Sequence, residues 1–132
     1  MHKRMLDRRI GVFFRKQKLL KEKYGYVIHD VPGESTHTHG LYENFGHPEI
    51  ECTLPMNPQT LMHLVRDLAE RVKGGQVFTS GEMVDDLIQN FSVKLVGCPT
   101  GLRLILPDPN GSLDVSTMLP DYAAQYKGTF PQ

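Results

Sequence analysis

The sequence predicts an α+β domain: a mainly antiparallel sheet, one well-defined helix packed on it over about 58–73, and a basic amphipathic helix at the N-terminus. Three observations carry this. Leu61, Leu64, Val65, Leu68 and Val72 recur at three- and four-residue steps between Asn57-Pro58 and Gly74-Gly75. Segments 24–31, 35–41 and 49–54 alternate or are rich in β-forming residues, and turn-forming residues separate them. The first 25 residues hold nine basic groups against two acidic ones, on a helical apolar period.

In chain order, Leu6, Ile10, Phe13, Gln17 and Leu20 mark one face of the opening helix, with Phe14 widening it. Gly11 costs such a helix about 1 kcal/mol relative to alanine, so a late start or a bend is expected there, and Gly25 closes it. Tyr24–Val31 reads as a strand, Pro32-Gly33 as a turn, and Ser35–Leu41 as a second strand antiparallel to the first. A loop over Asn44–Pro48 leads to a third strand, Glu49–Leu54, with Ile50, Cys52 and Leu54 on one face. Asn57 then caps and Pro58 starts the central helix. Beyond it, Gln76–Thr79 reads as a short strand and Gly81–Gln89 as a short helix with Met83, Val84, Leu87 and Ile88 inward. Ser92–Val96 and Leu102–Leu106 read as strands, and Pro107–Gly111 as a turn. The tail from Leu119 lacks a period and is expected along the surface.

The chain of 132 residues is 39% hydrophobic with a mean hydropathy of −0.34, the size and composition of one domain with its own core. It divides into a basic arm (1–23), an α+β body (24–118) and a tail (119–132). No apolar run approaches a membrane span, and the first residues lack the pattern of a signal peptide. Cys52 and Cys98 are too few for a disulfide framework, so a cytoplasmic location is expected. The net charge of zero conceals a division, because residues 1–25 carry +7 and the remainder −7. A basic arm beside an acidic body points to a homo-oligomer or a protein partner. Nucleic acid or an anionic membrane met through residues 3–23 is the other use of such an arm, although no recognition motif accompanies it.

Polar and conformationally special residues concentrate between Thr36 and Glu49. A two-residue step places His37 and His39 on one strand face, about 7 Å apart along it. Two imidazoles so placed chelate a zinc-like ion, with His47 or Glu49 from the next turn completing the set and leaving a position for water. The alternative is two histidines on a solvated strand. Thr38, Gly40, His47 and Glu49 form a second constellation, a ligand-binding candidate. In Gly46-His47-Pro48-Glu49 the proline stiffens the turn and would hold an imidazole and a carboxylate in place for acid–base work. The same stiffness serves a structural turn in which Glu49 caps backbone amides and His47 bonds a carbonyl. His29 reads as a satisfied semi-buried histidine, Cys52 as a core residue, His63 as a solvated partner of Asp67, and Cys98 as a turn residue open to solvent.

The motifs Thr38-x-Gly40-Leu41, Gly46-His47-Pro48-Glu49, the leucine-rich helix ending in glycine, and Pro107-Asp108-Pro109-Asn110-Gly111 occur in an order that resembles the family called domain of unknown function 4262. The resemblance runs from about Tyr24 to Gly111 and leaves out the basic helix. His37 stands where that family usually has an aromatic residue, and His39 where it has an aliphatic one. The family carries no assigned activity, so the expectation for function comes from the residues. It is a self-associating, non-enzymatic binding or interaction module with its surface near Thr38–Glu49. The alternatives are a metal-dependent hydrolase with His37, His39 and His47 as ligands and Glu49 as base, and a nucleic-acid-binding adaptor.

Overall fold

The computed structural model describes the backbone of residues 2–131 and the side chains of residues 11–131. Helix α1 spans His2–Tyr24, β1 Val27–Val31, β2 Ser35–His39, α2 Leu41–Phe45, β3 Glu49–Cys52 and α3 Pro58–Lys73. Strands β4 (Met83–Ile88), β5 (Phe91–Cys98) and β6 (Gly101–Ile105) follow, then α4 (Pro120–Ala123) and a 3-10 turn over Ala124–Tyr126. The six strands lie in the order β1-β2-β3-β6-β5-β4. Every pairing is antiparallel except β3 with β6. The architecture is the α+β arrangement that the sequence predicts.

Helix α3 forms where capping and periodicity agree. The Asn57 side chain accepts from the amides of Gln59 and Thr60, Pro58 occupies the first turn, and the chain leaves the helix at Gly74. Its buried face, Leu61, Leu64, Val65, Leu68, Ala69 and Val72, packs on one side of the sheet against residues such as Ile50, Cys52, Leu95, Leu102 and Leu104. Cys52 is fully buried there, which pushes its thiol up to about 11.

The other side of the sheet has its own cover. Val96 and Ile105 pack with Met118, Leu113, Tyr122, Ala123 and Tyr126. The tail is therefore a packed layer over the sheet and not the surface strap expected from its lack of periodicity. Gln125 is 1% exposed, and its side-chain amide bonds both the N–H and the carbonyl of Leu106 at 2.9 Å, taking the place of a strand partner at the end of β6. Arg103 anchors the same segment. It pairs with Glu51 at 3.0 Å, donates to the carbonyl of Gln125 at 2.9 Å, and also reaches the carbonyl of Lys127.

Several boundaries differ from the sequence expectation. Strand β1 starts at Val27 because α1 runs to Tyr24 and Gly25 turns the chain at φ 89°. Helix α1 passes through Gly11 without a break. Leu6 and Ile10 of the expected apolar face, and the basic residues before Gly11, have side chains outside the described residues. Strand β2 ends at His39, where Gly40 (φ 113°) admits the short helix α2 in place of a loop. Residues 76–79 form no strand, and the expected helix over 81–89 is strand β4. Its register shifts between Val84 and Ile88, so Val84 and Leu87, three residues apart, are both buried. A bulge thus imitates helical spacing. Cys98 is 3% exposed at the end of β5, not open to solvent.

Candidate metal centre

The hairpin of β1 and β2 pairs Val27 with His39 and His29 with His37, so the three histidines share one face. It is the face opposite α3, beyond the area covered by the C-terminal layer. The rings converge: the centroids of His29 and His39 are 4.6 Å apart, those of His37 and His39 4.8 Å, and those of His29 and His37 5.9 Å. One ring nitrogen from each lies within 4.8 Å of the other two. The Nε2 atoms of His37 and His39 are 3.1 Å apart. Tetrahedral coordination with bonds of about 2.0–2.1 Å separates two nitrogens by about 3.3 Å, so this pair already stands at chelating distance.

Neighbouring groups set the state of these rings. The Gln17 amide oxygen of α1 lies 2.9 Å from Nε2 of His29. An amide oxygen only accepts, so His29 donates from Nε2 and, when neutral, keeps its lone pair on Nδ1. Ser35 Oγ lies 2.9 Å from Nδ1 of His37 and holds that ring with Nε2 toward His39. Desolvation by burial, then the neighbouring His39 and His37, hold the His29 imidazole below its ordinary value. Burial and then His37 do the same for His39. Both therefore stay neutral near pH 7, the form that binds a metal ion.

His47 is not in this set. It is 3% exposed; its Nδ1–H donates to the Pro48 carbonyl at 2.8 Å and its Nε2 accepts the Phe78 amide at 3.0 Å. Both ring nitrogens are committed, and the imidazole ties the turn before β3 to the segment after α3. Proline stiffens this turn as the sequence suggests, but for anchoring.

Thr38, Gly40 and Glu49 do come together. Glu49 accepts from Thr38 Oγ at 2.8 Å, from the amide of Leu41 at 3.1 Å, and from the amides of Gly40 and Tyr42 at 3.2 Å. It is the cap of α2, supplied from eight residues further along the chain. Thr38 Oγ in turn accepts the amide of Ile50 at 2.9 Å and bridges β2 to β3. Gly40 is required by backbone contact, since a Cβ there would lie 2.7 Å from the Gly25 carbonyl oxygen and 3.0 Å from Tyr26 Cα. These three residues bond one another and nearby backbone.

His63 is exposed, and Asp67 pairs with Arg71 at 2.8 Å. Asp108 organises its own turn, accepting amides of Asn110, Ser112 and Leu119. The residue that sequence reasoning missed is His29. The signal was available: a hairpin centred on Gly33 places position 29 opposite position 37.

The family described as Domain of unknown function (DUF4262) matches residues 22–101. The match takes in β1 through β5, the Glu49 cap and the His47 anchor, and stops short of the 107–111 turn. Nothing among the curated proteins or the solved structures matches the chain. With more than half of its length covered by that match, the chain belongs to the DUF4262 family.

Proposed function

We propose that this protein is a divalent-metal-binding module whose ligands are His29, His37 and His39. The observation that carries this is the convergence of three ring nitrogens within 4.8 Å on one sheet face, two of them 3.1 Å apart. Imidazole donors suit a zinc-like ion, and three of them leave a fourth position for water or another ligand. Gln17 and Ser35 are the outer-sphere partners that orient two of the rings. A binding role is favoured over hydrolysis because Glu49, the carboxylate that the hydrolase alternative needs as a base, accepts four hydrogen bonds as a helix cap. The test is elemental analysis of the chain, purified without a polyhistidine tag and dialysed against zinc. One equivalent is expected in the parent and in His63→Ala, and a large loss in His29→Ala and His37→Ala. Absence of stoichiometric metal, or equal retention in all four proteins, removes the proposal.

A second reading, self-association through α1, is favoured by a separate observation. Val12 and Leu19, seven residues apart and therefore on one helical face, are 55% and 65% exposed. They sit on the arm that carries +7 while the rest of the chain carries −7. A second copy offers both an apolar partner and the opposite charge. Sedimentation equilibrium at low and high salt tests this. The reading expects a dimer weakened by salt and abolished in Val12→Glu/Leu19→Glu, and a monomer under every condition ends it.

A further inference from the structure

Beside the histidines, α1 and the β1–β2 face enclose a groove to which His29 and His39 both contribute. Its apolar lining comes from Phe13, Phe14 and Val27. Phe13 lies 6.5 Å from the His29 ring, centroid to centroid, so this apolar wall begins next to the proposed ion. Among the described residues, the charged ones along the groove are Lys18, Lys21, Glu22 and Glu43, two cations against two anions, with Lys21 and Glu43 paired at 3.5 Å. They cancel. An ion held by the three imidazoles would then add a net positive charge to the groove beside Phe13.

We infer that the groove takes an amphipathic monocarboxylate, its carboxylate on the open metal position and its hydrocarbon chain along Phe13, Phe14 and Val27. This rests on the metal-binding reading and adds the class of ligand. A charged head is matched best at the ion, because Lys21 further along is already paired with Glu43. Phe13, Phe14 and Val27 gain from apolar cover. From Phe14 to Lys21 the helix advances about 10 Å, room for a chain of medium length. Both phenylalanines are at least half exposed without a ligand, an arrangement that is explained by something covering them.

The experiment uses the full chain loaded with Co²⁺, whose visible absorption reports the fourth ligand. Octanoate, acetate and octanol are the probes. Octanoate is expected to change the cobalt spectrum saturably at about tenfold lower concentration than acetate, or less, the effect of burying as few as two methylenes. Octanol, lacking the anion, is expected to leave the spectrum unchanged. Phe13→Ser is expected to bring octanoate back to the acetate value while cobalt affinity stays as in the parent. If cobalt binds with three histidines and octanoate binds no better than acetate, the inference fails and the metal-binding reading stands. If cobalt does not bind, both fall.

Discussion

Replacing Glu49 by glutamine preserves the shape of the side chain and removes the charge on which four donors converge. In the native protein Oε1 receives Thr38 Oγ–H and the Leu41 amide, while Oε2 receives the amides of Gly40 and Tyr42. Whichever way a glutamine amide is turned, its NH2 group faces two of these donors and can accept from neither. Hydrogen bonds to charged groups are worth about 1.5–3 kcal/mol each, and partial exposure of the site places two lost bonds and two weakened ones toward the low end, at about 2–3 kcal/mol in total. For a chain of this size each kcal/mol moves the melting temperature by about 3–4 °C, so E49Q is expected to melt about 6–12 °C below the parent. Circular dichroism melts of the two proteins, with urea unfolding at 25 °C as a second measure, read this directly. A melting temperature within about 2 °C of the parent would refute the capping role, because no route remains by which four lost or weakened bonds leave stability unchanged.

Other substitutions test neighbouring parts of the account. Gly40→Ala places a Cβ 2.7 Å from the Gly25 carbonyl oxygen at φ 113°, so a loss of about 2 kcal/mol or more is expected in urea unfolding. Arg103→Ala leaves Glu51 buried without its partner and frees the Gln125 and Lys127 carbonyls. It should cost about 3–5 kcal/mol and open the segment after Leu113 to limited proteolysis. Metal affinity should be level above neutrality and fall as pH drops below the ordinary histidine value of 6.5, because His29 and His39 are held below it and the ion competes with protons for both. The apo protein should lose stability in the same direction. Below 6.5 the unfolded chain takes up these protons first, and the loss continues until pH passes the lowered folded values. Calorimetric zinc titrations and melts between pH 5 and 8 measure the two effects.

The legible parts of this fold are those whose signals are local. Asn57, Pro58, the Leu61–Val72 stripe and Gly74 are contiguous, and each states the same helix before any tertiary contact forms. The β1–β2 hairpin follows from Pro32-Gly33 and the β-formers on both sides. Elements governed from a distance are misread. Helix α2 depends on Glu49, which lies outside it in sequence. In β4 the register shift between Val84 and Ile88 makes a strand spell out a helical period. The last segment has no period because its partners, Arg103, Ile105 and Val96, sit on a sheet face that forms only once β3, β6 and β5 are assembled.

The candidate site divides the same way. His37 and His39 are adjacent on a strand, and their shared face follows from β geometry alone. His29 joins them through hairpin register, and Gln17 through the docking of α1, which no local pattern announces. His47 and Glu49 look reactive as isolated residue types. Their hydrogen-bond partners, Phe78 among them, account for both as structural groups.

X-ray absorption at the zinc edge of the zinc-loaded, untagged chain tests the site most directly, since it counts the atoms bound to the ion. The expected result is three imidazole nitrogens and one further light atom at about 2.0–2.1 Å, with one imidazole missing in His29→Ala. A shell of oxygens, or a sulfur ligand, or a spectrum that His29→Ala leaves untouched, would contradict it.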